Sequence, residues 1–219
     1  MLNTPQPSSA SSATQRFGLL RHGLTEWNEQ KRVQGCMDSP LSRKGQEQTR
    51  IWAEYLQRHS GRDNWQRIIA SDLGRVRQTV AILNKKLNLP IHFDERLREM
   101  HWGDWEGRRV KNVRELYGAT IHEQEQLGWE FRPPGGESRK EVLHRARATL
   151  QDSAARWPKE NILVVCHLGV IKCLVYASVN SPCLPGTVPS LDDNSLQILS
   201  WKENTLRWKL RNIAAEQGT

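Results

Sequence analysis

The chain has 219 residues, 37% of them hydrophobic and 26% charged, enough for one ordinary α/β domain but not for two domains each with a large core. No apolar run approaches the roughly 20 residues that a membrane-spanning helix needs, and the apolar content is too high for a disordered chain. Lys and Arg number 32 against 24 Asp and Glu, a formal net charge of +8, which raises nucleic acid as a partner. The excess is spread thinly from end to end, without a basic tail, zinc-finger spacing or aromatic RNA-binding signature, so neither a nucleic-acid nor a membrane partner is expected.

Residues 1–15, MLNTPQPSSASSATQ, lack a basic start followed by an apolar stretch and are expected to form a flexible tail, not a secretory signal. The apolar run at 17–20 stops at Arg21-His22-Gly23, the pattern of a buried strand ending in a turn. Ser42 as N-cap, with Trp52, Tyr55 and Leu56 at helical spacing, predicts a helix that runs out near 59–61. QRIIA at 66–70 reads as the next strand, and Ser71 and Asp72 offer capping oxygens to a helix carrying Val76, Val80, Leu83 and Leu87. A short strand is expected at 91–93, and REMHWGDWEG at 98–107 fits neither period. Residues 108–132 read as a small helical excursion closed by Pro133-Pro134-Gly135-Gly136, and 137–157 as a helix with Val142, Leu143, Ala146 and Leu150 on one side. NILVVC at 161–166 is the strongest strand; it ends in His167-Leu168-Gly169, followed by a helix to 178 and two short strands at 195–201 and 205–210.

This alternation predicts an α/β fold: a mostly parallel central sheet with helices on both faces and the last two strands adding an edge. Residues 16–219 form a single domain in this reading, with 101–136 as a small inserted helical lid. Four cysteines, Cys36, Cys166, Cys173 and Cys183, form no CxxC pair, the usage of reduced thiols in a cytoplasmic protein.

Ligands of such sheets bind outside the carboxyl ends of the strands, which directs attention to the two strands that end in histidine. At Arg21-His22-Gly23 a guanidinium and backbone amides can face an anion. A neutral imidazole there can attack phosphorus if positive groups screen the phosphate oxygens. An isolated Arg-His pair is otherwise an ordinary surface turn.

Four blocks in order make more of it. LLRHGLTEWN with VQGCMDSPLSRKG, SDLGRVRQT at 71–79, LREMHWGDWEG at 97–107 and LVVCHLGV at 163–170 resemble the motifs of the histidine phosphatase superfamily, the phosphoglycerate mutase-like proteins. The resemblance implies that His22 is the nucleophile that becomes phosphohistidine, and that Arg21, Arg75 and His167 form the other walls of the phosphate pocket. Asn28 and Thr25 would hydrogen-bond phosphate oxygens or orient the loop, and Glu99 would be the proton donor and acceptor. Leu168 counts among the substrate-binding positions and stands where such relatives usually carry Gly or Asn, which leaves the amide contacts of that turn open. No metal and no cofactor is expected, since the matched positions supply arginines where further ligands would be needed. His59, His92, His101, His122 and His144 match no position.

The interval of 68 residues from Glu99 to His167 lacks the long charged insert of cofactor-dependent phosphoglycerate mutases. WGDWEG and PPGGES are closer to the alpha-ribazole phosphatase and broad-specificity phosphatase branches. The expected activity is therefore hydrolysis of small phosphorylated metabolites. A cofactor-dependent phosphoglycerate mutase is the alternative, and a catalytically silent phosphate- or protein-binding module a more remote one. Trp102, Trp105, Trp129, Arg108 and Arg109 are candidates to stack on a substrate ring or hold a second anion. Oligomeric state is left open, a homodimer included.

Overall fold

The computed structural model describes residues 14–215. In chain order the elements are β1 (Gln15–Arg21), α1 (Glu26–Glu29), α2 (Arg43–Arg58), α3 (Ser60–Asp63), β2 (Trp65–Ala70), α4 (Gly74–Leu87), β3 (Ile91–Phe93), α5 (Val110–Glu125), α6 (Arg139–Arg156), β4 (Asn161–Cys166), α7 (Leu168–Ser178), β5 (Leu196–Lys202) and β6 (Thr205–Ile213). The strands form one sheet in the order β3-β2-β4-β1-β5-β6. β3, β2, β4 and β1 run parallel, and β5 and β6 add an antiparallel edge beyond β1. The α/β architecture with a mostly parallel sheet is as the sequence predicts.

Alternation along the strands sends side chains to opposite faces. Phe17 and Leu19 of β1, with Ile162 and Val164 of β4, pack against Val142, Ala146 and Leu150 of α6 and Val170 and Leu174 of α7. Leu20, Leu163 and Val165 turn the other way, onto Trp52 and Leu56 of α2 and Val76, Val80 and Leu83 of α4. Helices thus cover both faces, as a parallel sheet requires. α5 stands apart: Val113 is its one buried residue, and the helix is broken at Tyr117, whose backbone is not helical.

Three local details differ from the sequence reading. Residues 1–13 of the expected tail lie outside the described residues, whereas Gln15 begins β1 and is buried. Its amide donates to the carbonyls of Trp157 and Glu160, so a polar side chain that composition assigns to a tail instead seals the sheet end. α1, a single turn, was not anticipated. Neither Ser71 nor Asp72 caps α4 from within. The free amides of Gly74 and Arg75 donate to the carboxylate of Asp38, at 2.6 and 3.3 Å, while Asp72 pairs with Arg98 at 2.7 and 2.5 Å. An acceptor 36 residues upstream serves the helix start as well as a local one would.

Leu163 lies fully buried in β4 between two strands. Leu163→Ala should lower the free energy of unfolding by about 2–5 kcal/mol in urea denaturation; a loss below about 1 kcal/mol would mean that this face of the sheet is not the packed core described.

Candidate active site

The parallel pairing of β1 with β4, in the register Arg21 with Cys166, brings the residues that follow each strand together. His22 continues that pairing through its amide, which donates to the Cys166 carbonyl at 3.0 Å. The rings of His22 and His167 lie with centroids 5.2 Å apart. The Nδ1 of His22 is 2.8 Å from the Gly23 carbonyl. A carbonyl can only accept, so Nδ1 carries the proton and Nε2 keeps its lone pair.

Arg75, in the first turn of α4 and 1% exposed, binds the cluster together. A guanidinium has five N–H donors, and all five find acceptors. Nε donates to His22 Nε2 at 3.3 Å, Nη1 to the Met37 carbonyl and Asp38 Oδ1 at 2.7 and 2.9 Å, and Nη2 to the Gly35 carbonyl and His167 Nδ1 at 2.7 and 3.2 Å. Since arginine cannot accept, His167 Nδ1 is unprotonated and its Nε2 donates to Ser71 Oγ at 2.9 Å. Burial, followed by the nearby guanidinium charges, holds both imidazoles well below the ordinary histidine pKa. Both are neutral at pH 7.

Arg21 reaches Asp193 through Nη1 at 3.2 Å, but its Nε is buried without a partner, a donor left over at the strand end. Thr25 is fully buried and caps α1: its Oγ accepts from the Asn28 amide, and Asn28 Oδ1 accepts from Thr25 N and Oγ. This fixes the Asn28 side chain with Nδ2 as its uncommitted end. Of the two, Asn28 lines the cavity described below and Thr25 does not.

Glu99 Oε1 accepts from the Met100 amide at 2.8 Å, and Oε2 from the Gly169 amide at 3.2 Å. A Cβ on Gly169 would come within 2.4 Å of Oε1, so the first turn of α7 can approach the carboxylate only with glycine there. The amide next to Leu168 is thereby spent on Glu99. Arg98 and Arg96, the ion-pair partners that would compete for Glu99, are occupied by Asp72 and by Asp94 and Asp152.

Sequence reasoning missed the residues that hold this segment. Arg145 of α6 donates to the carbonyls of Arg96, Arg98 and Glu99 and pairs with Glu137. Its one signal was a charge set in the apolar stripe of Val142, Ala146 and Leu150. Glu106 Oε1 accepts from the amides of Cys36 and Trp102, tying the loop over Arg75 to the stretch after Glu99.

These groups open into a cavity of about 590 Å³ lined by Arg21, His22, Asn28, Arg75, Glu99 and Leu168, among others. His167 is fully buried behind it. Trp102 and Trp105 stack at 6.1 Å in its wall. Trp129, whose Nε1 donates to the Ser181 carbonyl, and Arg108 and Arg109 are not in that wall.

The Histidine phosphatase superfamily (branch 1) matches residues 17–214. The chain belongs to that superfamily. A glucosyl-3-phosphoglycerate phosphatase of Mycobacterium tuberculosis (strain CDC 1551 / Oshkosh) is 35% identical over 176 residues, 76% of each chain. A probable phosphoglycerate mutase GpmB of Enterobacter sp. (strain 638) is 34% identical over 195 residues, 85% of each. The structure of a mycobacterial glucosyl-3-phosphoglycerate phosphatase complexed with VO3 superposes with a TM-score of 0.79 at 29% identity, covering 91% of this chain and 100% of that one. The alpha-ribazole phosphatase of Shigella flexneri superposes at 22% identity with a TM-score of 0.72, a likeness of fold alone. The phosphatase relatives support the hydrolytic reading of this superfamily member, and the GpmB relatives fit the mutase alternative.

Histidine-selective NMR titration of the phosphate-free protein should find His22 and His167 neutral at pH 6.5, each titrating lower. Added inorganic phosphate should move both titrations upward, because a neighbouring anion favours the imidazolium. A midpoint at or above 6.5 without phosphate would contradict the buried, arginine-flanked site.

Proposed function

We propose that this protein is a phosphomonoesterase that acts on small phosphorylated metabolites through a phosphohistidine at His22, without a metal. The observation that carries the reading is an imidazole whose Nε2 is left unprotonated because Nδ1 carries the proton and donates it in a hydrogen bond to the Gly23 carbonyl, set beside two guanidinium groups and a carboxylate in one cavity. Phosphoryl transfer asks for charge stabilisation on the equatorial oxygens more than for covalent help. Arg21, Arg75 and the Asn28 amide supply it.

In the first step the Nε2 lone pair attacks phosphorus, the ester P–O bond breaks, and the leaving oxygen takes a proton from the carboxylic acid form of Glu99. In the second, the Glu99 carboxylate takes a proton from water, the water oxygen attacks phosphorus, and the P–N bond breaks to release inorganic phosphate and restore the imidazole. For the attack, Arg75 Nε must exchange His22 Nε2 for a phosphate oxygen; this is the longest of its five bonds. His167 supports Arg75 from the far side, Thr25 orients Asn28, and Leu168 borders the alcohol portion of the substrate. Residues 101–136 cover the cavity as a lid on a single domain that begins with β1. Four free cysteines accord with a reducing, cytoplasmic setting, and no helix among the described residues is long and apolar enough to cross a membrane.

The GpmB relatives favour a second reading, in which the phosphoryl group returns to a bound hydroxyacid instead of going to water. Phosphate release from a panel of phosphomonoesters separates the two. Release should proceed with EDTA present and without a bisphosphorylated primer, and His22→Ala should lower it by at least about 10³-fold. Isomerised ester with little free phosphate, formed only with primer, would establish the mutase; loss of activity in EDTA would refute the metal-free step.

A further inference from the structure

The direction of the His22 ring depends on the residue that follows it. Nδ1 donates to the Gly23 carbonyl at 2.8 Å, so Nε2 points wherever that carbonyl fixes the ring. Glycine is a poor anchor, with no side chain to pack and the freest backbone of any residue. The turn is therefore held from outside. α2 presses on it, with Thr49 Oγ1 and the Gly45 carbonyl standing where a Cβ on Gly23 would come within 2.5 and 2.6 Å. From α4, Thr79 Oγ1 accepts from the Gly23 amide at 3.1 Å. The next amide, that of Leu24, reaches Gln48 Oε1 only at 3.4 Å.

Thr79 is buried, and its hydroxyl is engaged at both ends. Its proton goes to the Arg75 carbonyl one helical turn earlier, at 2.8 Å, a back-bond that threonine commonly makes within a helix. With that proton committed, the oxygen can only accept toward Gly23. One hydroxyl thus joins the backbone of Arg75 to the backbone that orients His22, and the side chains of these two residues meet at 3.3 Å, Arg75 Nε on His22 Nε2. Thr49 is the natural comparison. It is buried as deeply and makes the same back-bond, to the Gly45 carbonyl at 2.7 Å. The amides of residues 22–24 go elsewhere, to the Cys166 carbonyl, Thr79 and Gln48.

We propose that Thr79 is a positioning residue for the nucleophile, locking the Gly23 peptide so that His22 Nε2 keeps its line of attack on phosphorus beside Arg75. This rests on the phosphatase reading for the chemistry at His22, but the locking can be tested by binding alone. Thr79 does not line the cavity and acts only through Gly23. A bound phosphate needs the charge of the pocket, which a small rotation of the His22 ring leaves intact. The transition state needs nucleophile, phosphorus and leaving oxygen in line, and a small misplacement there is costly. Loss of the hydroxyl therefore falls on kcat and on the affinity for a five-coordinate mimic, and spares KM and phosphate affinity.

Steady-state hydrolysis of a phosphomonoester, with isothermal titration of orthovanadate and of inorganic phosphate, tests it in the full chain. Thr79→Val should lower kcat at least about tenfold, the scale of one buried N–H left unpaired, with KM changed by less than about threefold. The preference for vanadate over phosphate should fall by a factor similar to that in kcat. Thr79→Ala, which removes the same oxygen without setting a methyl group against the Gly23 amide, should behave alike. Thr79→Ser keeps the hydroxyl and should restore both quantities, while Thr49→Val should leave both near the parent values. An unchanged vanadate preference in Thr79→Val and Thr79→Ala, no rescue by serine, or an equal loss in Thr49→Val would overturn the proposal. Loss of the folded state in both hydroxyl-free variants would assign Thr79 to stability and overturn it too. A parent protein without turnover whose vanadate preference still depends on Thr79 would remove the phosphatase reading and leave the positioning role; turnover indifferent to Thr79 would do the reverse.

Discussion

A guanidinium buried to 1% exposure must find an acceptor for every N–H or carry the cost of a desolvated charge. Arg75 meets this constraint in a way that fixes the site. Two of its acceptors are the imidazole nitrogens of His22 and His167, two are carbonyls of the loop at 35–37, and one is the carboxylate of Asp38. Two strand ends, one loop and one helix start are therefore held at one point. The same positive charge contributes to keeping both imidazoles unprotonated, the state a nucleophile needs.

The loop obeys the arginine's geometry. Gly35 has φ of +55° and leaves no room for a Cβ, which would fall 1.9 Å from Glu106 Oε1; the loop reaches Arg75 only with glycine at that position. Glu106 in turn ties this loop to the segment carrying Glu99, and Arg145 holds that segment from the other side through three carbonyls. Nucleophile and proton donor thus belong to one hydrogen-bonded frame. Asp38 serves it twice, as acceptor for Arg75 and as cap for α4, which is why α4 begins without a cap of its own.

The fold was legible in the sequence where local pattern decides it. Apolar runs ending in Arg21-His22-Gly23 and in His167-Leu168-Gly169 mark buried strands, and Ser42 and the stripe of Trp52, Tyr55 and Leu56 mark α2. What was not legible depends on pairing at long range. Ser71 and Asp72 look like helix caps, yet Ser71 accepts from His167 and Asp72 binds Arg98, because strand order puts those partners beside them. Gln15 looks like tail, but its amide closes carbonyls that follow α6. Family motifs mark the members of the site, whereas their tautomers, and the positioning roles of Asp38, Glu106 and Arg145, depend on contacts between segments far apart in the chain. The diffuse net charge of +8 conceals a wall that gathers six cations.

The account depends on a covalent bond between His22 Nε2 and phosphorus. The direct measurement is rapid mixing of enzyme with a phosphomonoester labelled in the phosphoryl group, quenched in alkali and followed by peptide mapping. The account predicts label that is stable to alkali and labile to acid, located on the peptide containing His22, appearing and decaying fast enough to lie on the path to phosphate. Release of phosphate at the full rate with no label on His22, or with label on another residue, would contradict it.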